Sequence, residues 1–343
     1  MHDAIHEALT HVFEQRDVPE AACQRAVAAI MDGQCDDVSI AAFLTALRVK
    51  GEAVEEIVGS ARAMIERSQQ VSTSRPGLLD TCGTGGDELR TFNISTATAF
   101  VAAACGVPVA KHGNRSVSSS SGSADVLEKL GVQTQLSPAQ VGHCLDELGI
   151  GFCFAPVFHG AMRHAGPVRK ALRFRTLFNL VGPLTNPANA EFQLLGASRV
   201  TTAEKLAHAA ARLGRKHALI VCGNDQLDEV SLWGLTTVFE VRSGNVQRLA
   251  WTAADFGLPE ARVSDLQVAS PAESAAMIQQ VLNGQPGAAR DIVIANAAAA
   301  LIAADIASTP QQAAGQAASV IDDGKARTLL ERFVKFTQTL TTT

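Results

Sequence analysis

Three segments between Asp80 and Glu128 carry glycines and side chains suited to holding phosphate. They are Gly83-Thr84-Gly85-Gly86-Asp87, Asn93-Ile94-Ser95-Thr96 and Lys111-His112-Gly113-Asn114-Arg115-Ser116-Val117-Ser118-Ser119. The first has three glycines in four residues. Glycine tolerates positive φ and lets backbone N–H groups approach an anion closely. The second opens an apolar helix with Asn and Ser, which are good caps, and a helix start also offers unpaired N–H groups and partial positive charge. The third brings charge from Lys111 and Arg115, hydroxyls from a serine run that continues to Ser123, and Gly113 and Gly122 for a folded loop. A Gly-rich turn alone is more often only a turn, and a Ser-rich stretch is more often a linker. A basic pair with His112 between apolar segments is unlike a linker. All three together point to an enzyme acting on a multiply phosphorylated sugar. Neither a dinucleotide GxGxxG fingerprint with its acidic partner nor a GxxxxGK(S/T) loop is present.

Two further groups bear on that chemistry. Asp228-Glu229 follow the apolar run Ala218–Val221. Adjacent carboxylates are commonly just solvated, but a phosphate-rich site calls for Mg²⁺, which is held by one or two carboxylates plus phosphate and water. Between Phe158 and Pro187 lies the dense basic cluster Arg163, Arg169, Lys170, Arg173 and Arg175, either a solvated helical face or an anion-facing patch.

These residues need a scaffold. Residues 1 to about 70 read as helices only. Val18-Pro19 fits a helix start with Pro in the first position, followed by Ala21–Met31. Ile40, Phe43, Leu44 and Leu47 recur at helical spacing before Gly51, and Val54–Arg67 forms another helix. Ser72–Gly77 reads as a linker. Short apolar strands then alternate with helices: strands at Leu78–Thr81, Val107–Ala110, Gly151–Phe154, Phe192–Leu195, Ala218–Val221 and Thr237–Val241. The helices are Ser95–Ala104, Ala124–Leu130, Pro138–Leu148, Ala203–Leu213, Pro271–Leu282 and Ala295–Ile306. No element is assigned beyond Ile306. The fold class is α/β: a small N-terminal helical domain plus a larger α/β domain with a mainly parallel central sheet covered by helices. The expected division is 1–70 and 75–343.

The 343 residues are 47% apolar and 18% charged, enough for a sizeable core. A net charge of −5, only 5% aromatics and no Tyr argue against a nucleic-acid binder. None of the seven cysteines forms a CxxC pair, so reduced core thiols in a cytoplasmic protein are expected. The N-terminus lacks a signal-peptide pattern, and no apolar run reaches membrane-spanning length.

Taken together, the motifs resemble the anthranilate phosphoribosyltransferase family. The residues concerned are Gly83–Asp87, Thr91–Thr96, Lys111–Arg115, Gly122–Glu128, His159–Met162 with Pro167–Arg169, Arg175–Pro187 and Leu227–Glu229, together with Ala41–Leu44 and Asp323–Ala326. The resemblance implies transfer of ribose 5-phosphate from phosphoribosyl pyrophosphate (PRPP) to the amine of anthranilate, in tryptophan biosynthesis, by a homodimer. It also implies a helical domain completed by helices within about 160–185, with the active site in the cleft between it and the α/β domain. Carried over by position, Gly83, Gly86, Asp87, Thr91, Asn93, Ile94, Ser95, Thr96, the segment Lys111 to Ser119 and Ser123 would line the PRPP site. Gly83, Asn114 and Arg169 would contact anthranilate, with His112 and His159 nearby. Ser95, Asp228 and Glu229 would hold Mg²⁺. No general base is nominated, because an aromatic amine is nucleophilic when neutral. The chain departs from the frequent family pattern at Glu88, Ser120, Gly160 and Gln226. Two rival readings are a pyrimidine nucleoside phosphorylase, which shares the fold, and a non-catalytic nucleic-acid-binding relative.

Overall fold

The computed structural model describes residues 1–115 and 121–340. Four helices come first: α1 (Asp3–Phe13), α2 (Glu20–Met31), α3 (Asp37–Lys50) and α4 (Val54–Glu66). In α3 the spaced residues Ile40, Phe43, Leu44 and Leu47 are all buried. Asp36 caps its start, accepting from the Ser39 N–H at 2.8 Å, and Gly51 ends it at φ +89°. Pro19 is one residue earlier than expected. Its extended ψ of 146° makes it the residue before α2 rather than the first helical one.

The remaining elements run in the order β1 (Leu79–Gly83), α5 (Ile94–Ala104), β2 (Val109–Gly113), α6 (Ser123–Lys129), α7 (Pro138–Leu148), β3 (Ile150–Phe154), α8 (Ala155–Phe158), α9 (Gly166–Leu172), α10 (Leu177–Val181), β4 (Phe192–Gly196), α11 (Val200–Arg212), β5 (His217–Gly223), β6 (Thr236–Arg242), β7 (Asn245–Trp251), α12 (Pro271–Leu282), α13 (Ala288–Ala303), α14 (Pro310–Asp322) and α15 (Lys325–Thr339). The strands form one sheet in the order β3-β2-β1-β4-β5-β6-β7. The first five are parallel to one another, and β6 and β7 join antiparallel. The helical start and mainly parallel sheet are those expected. The strand β7 and the helices α14 and α15 are additions to the sequence reading.

Chain direction across the sheet decides where a site can form. From β1 the chain steps outward to β2 and β3, then returns to place β4 on the other side of β1. Such a reversal opens a crevice at the carboxyl ends of the strands. Four neighbouring strands, β2, β1, β4 and β5, end there in Gly113, Gly83, Gly196 and Gly223.

Two apolar clusters flank the sheet. One joins β1, β2 and β3 with α5 and the C-terminal helices. The other runs from α1–α4 through α11 to the β4–β6 face, and includes Ala165, Val168, Leu177, Phe178 and Val181 of the 160–185 segment. All seven cysteines are free thiols.

Candidate active site

A cavity of about 330 Å³ opens at the carboxyl ends of β1 and β2. Its wall includes the Gly83–Asp87 turn, Thr91, Asn93–Ser95, Lys111–Arg115 and Ser123. It also includes Asp228 and Glu229, and on the side of α9 and α10, Arg169, Arg175, Phe178 and Asn179. Most of the sequence candidates therefore meet in one place. Thr96 and His159 are buried off the wall, while Ser116, Val117, Ser118, Ser119 and Ser120 lie outside the described residues.

The loop carrying Asp228 reaches the crevice because two strand ends lack side chains. A Cβ on Gly83 would stand 2.6 Å from Asp228 Oδ2, and one on Gly196 would overlap the Asp228 carbonyl. Asp228 Oδ2 accepts the Gly85 N–H at 2.7 Å. The carboxylates of Asp87, Asp228 and Glu229 influence one another strongly. Burial, then the charge of Asp228, pushes Asp87 up to about 7. The same two causes raise Glu229 well above the ordinary carboxylate range. Among the described residues no cluster of three or more His, Cys, Asp or Glu side chains forms an all-protein metal cage. Crowded carboxylates short of a cage, with the Ser95 hydroxyl on the same wall, fit Mg²⁺ completed by substrate phosphates and water.

Lys111 and Arg115 both stand on the cavity wall, and each is also tied to protein groups. Lys111 is buried, with Nζ donating to the Thr81 carbonyl and to Ser95 Oγ at 3.1 Å. Burial lowers its pKa, against the opposing pull of Asp80 and Glu229. Arg115 lines the cavity, but its guanidinium pairs with Glu128 at 2.6 Å and Asp125 at 3.0 Å on α6. These pairs tie Arg115, just past the end of β2, to α6. The Asn93 side chain caps α5, accepting from the Thr96 N–H at 3.1 Å. Ser123 Oγ donates to the Asn114 carbonyl at 3.3 Å, joining the start of α6 to the residue after β2.

On the opposite wall, Arg169 rests over the Phe178 ring at 5.5 Å and meets no carboxylate or carbonyl among the described residues. His112 lies on the wall with His159 behind it, ring centroids 5.1 Å apart. Burial pushes His112 down to about 3 and His159 to about 4, so both rings are neutral. Arg90, Arg175 and Asn179 also line the cavity and were not singled out in sequence as site residues. Arg175 lay in the recognised basic cluster and Asn179 in the Arg175–Pro187 motif, whereas Arg90 had no local signal.

Two departures from the family pattern receive a backbone account. Glu88 has φ +61°, a left-handed conformation in which glycine is easier. Gln226 does not have positive φ; Asn224 and Asp225, at +52° and +50°, make the turn instead, and these residue types tolerate it. A Cβ on Gly160 would have open space.

The two-part order matches known proteins. Residues 6–68 match the family described as "Glycosyl transferase family, helical bundle domain", and residues 75–327 match "Glycosyl transferase family, a/b domain". The protein is thus a glycosyltransferase of this two-domain class. It is 48% identical to the anthranilate phosphoribosyltransferase of Symbiobacterium thermophilum over 97% of each chain. It is also 48% identical to that of Moorella thermoacetica over 96% of this chain and 97% of the relative. The structure of anthranilate phosphoribosyltransferase from Thermus thermophilus superposes with a TM-score of 0.91 at 41% identity, over 97% of this chain and 99% of that one. The Saccharomyces cerevisiae protein in complex with PRPP and Mg gives 0.90 at 28% identity, over 99% of each. The chain belongs to the anthranilate phosphoribosyltransferase family.

Proposed function

We infer that the chain transfers the 5-phosphoribosyl group of PRPP to the amine of anthranilate, yielding N-(5-phosphoribosyl)anthranilate and pyrophosphate, a step of tryptophan biosynthesis. The observation that carries this reading is one cavity with two chemically distinct walls. One has the glycine turn, the start of α5 and the Asp228-Glu229 pair; the other has an Arg169 guanidinium with no ion-pair partner among the described residues. The S. cerevisiae relatives bound to PRPP and Mg and to 4-fluoroanthranilate support the same pairing of substrates.

In this reading the bond from C1 of the ribose to the pyrophosphate oxygen breaks, a C1–N bond forms, and the nitrogen loses a proton. Backbone N–H groups of the turn and of the α5 start meet the growing negative charge, usually the largest catalytic contribution. Arg169 grips the anthranilate carboxylate and aims the amine at C1. Neutral His112 can hydrogen-bond near the acceptor without placing a positive charge beside an oxocarbenium-like ribose. Ser95, Asp228 and Glu229 would hold Mg²⁺, which supplies charge neutralisation for the leaving pyrophosphate. Arg169, Arg175, Phe178 and Asn179 of the 160–185 segment, which packs on α3 and α4, supply one wall of the cleft, and the strand ends of the α/β domain the other.

We also propose a homodimer through α1 and α3. Val38 and Val49 on α3 are 78% and 80% exposed, and Phe13 on the adjoining α1 is 73% exposed. Among the described residues no helix is long and apolar enough to cross a membrane; the working location is the cytoplasm.

The test follows anthranilate fluorescence after PRPP and Mg²⁺ are added to purified protein. A decay that needs protein, PRPP and metal together is the expected result. Undiminished fluorescence with PRPP binding still measurable would replace anthranilate by another acceptor.

A further inference from the structure

Arg175 spends its guanidinium on backbone rather than on an anion. Nη2 donates to the Thr84 carbonyl at 2.7 Å, and Nη1 donates to the Gly85 carbonyl. Glycine is required beneath this fork, since a Cβ on Gly86 would overlap Nη1. The peptide joining Thr84 and Gly85 is held at both ends, its carbonyl by Arg175 and its N–H by Asp228 Oδ2. In the next peptide the Gly85 carbonyl is fixed on Arg175. A trans peptide directs its N–H the opposite way, and the Gly86 N–H meets no partner among the described residues on this cavity wall. Gly85 and Gly86 both have positive φ, +64° and +76°. Two such glycines offer little steric resistance to a peptide flip, which would turn a carbonyl toward an incoming phosphate.

We propose that Arg175 is a positioning residue: by clamping the Thr84 and Gly85 carbonyls it keeps the Gly86 N–H available to a substrate phosphate. The proposal deepens, and rests on, the phosphoribosyl-transfer reading of the cavity. The clamp also spans two parts of the molecule. Arg175 lies between α9 and α10, which pack on α3 and α4, whereas the turn ends β1. Approach of the 160–185 segment therefore sets the shape of the phosphate turn. A lysine would substitute poorly, because one ammonium lacks the planar fork that reaches both carbonyls.

The experiment compares wild type, Arg175→Ala and Arg175→Gln, which keeps much of the stem and one donor group. Amide hydrogen exchange is read without substrate, PRPP affinity with Mg²⁺ by calorimetry, and KM for each substrate by kinetics. Arg175→Ala is expected to quicken exchange of the Gly85 N–H, which Asp228 Oδ2 otherwise protects, without quickening it in α1–α4, and to weaken PRPP binding about tenfold, as loss of a hydrogen bond to a charged group would. KM for anthranilate at saturating PRPP stays within about twofold, Arg175→Gln falls between, and millimolar ethylguanidinium restores the alanine variant. Unchanged turn exchange overturns the clamp. So does exchange that quickens across α1–α4 with both substrates weakened, which marks a general structural role. If wild type fails to bind PRPP, the functional reading fails, and the substrate-free exchange comparison still decides the clamp.

Discussion

Arg169 holds a full positive charge against the Phe178 face, half out of water and without a counter-ion among the described residues. Burial lowers its pKa, yet a guanidinium stays charged at any physiological pH. Such a group gains most from a planar carboxylate, which it can grip with two parallel hydrogen bonds. Arg169→Ala is therefore expected to raise KM for anthranilate about 10- to 100-fold while KM for PRPP moves little, the range for losing a hydrogen bond to a charged partner. Steady-state kinetics with each substrate varied in turn decides it, and an unchanged anthranilate KM removes Arg169 from the acceptor site. At this scale residue type was legible and partner was not. Lys111, Arg115 and Arg175 all stood out in sequence as cations. The first is turned onto Thr81 and Ser95, the second onto Glu128, and the third onto carbonyls ninety or ninety-one residues earlier in the chain. Which oxygen a guanidinium meets depends on how distant segments dock, and no local pattern encodes that.

Elements with a strong apolar period announced themselves, and their chemistry depends on how their ends are tied. The loop after β5 is one such case. Asp225 Oδ1 accepts the Val200 N–H at the start of α11 at 2.8 Å, and Arg199 Nη1 donates to the Asp225 carbonyl at 2.7 Å. The side chain thus acts as an N-cap supplied from another part of the chain, fastening the loop that bears Asp228 and Glu229. Asp225→Ala is expected to lower unfolding stability by about 1 kcal/mol, as loss of a helix cap does. Asp225→Asn, which keeps an acceptor and tolerates φ +50°, should recover most of it. Denaturant titration of metal-free protein checks this; identical midpoints for alanine variant and wild type would sink the idea. Two of the three elements missed in sequence, β7 and α14, share a cause. The edge strand β7 exposes most of its residues and carries Gln247 and Arg248, so its alternation is weak. In α14 the buried face is mostly Ala313, Ala314 and Ala317, whose small side chains give little contrast. The α15 pattern Leu329, Leu330 and Phe333 was strong enough to be read, and it packs on α5.

At the scale of the whole molecule, α3 is apolar on two sides. Ile40, Phe43, Leu44 and Leu47 face the core, while Val38 and Val49 stand exposed, with the half-buried Ala42 and Thr45 between them at intervals of four, three and four. That second spacing is the seam of a helix packed against another helix. Charged residues are the usual occupants of a solvated face, so two exposed valines there, beside the exposed Phe13 of α1, favour a partner. The proposed partner is a second copy of the chain related by a two-fold axis, which presents the same row twice and counts every substitution twice. Full burial of a valine contributes about 1.5–3 kcal/mol. Val38→Asp combined with Val49→Asp removes four such contributions and brings four carboxylates together, more than a modest interface can withstand. In sedimentation velocity the wild type is expected at twice the 36.0 kDa chain mass and the double variant at the chain mass, with unchanged helical circular dichroism. A wild type that sediments as a single chain would refute the dimer outright. A double variant that remains paired would move the interface away from α3. The cavity lies between the segment packed on α3 and the ends of the sheet. Holding α3 against a second copy would steady one wall of the cleft while the sheet supplies the other.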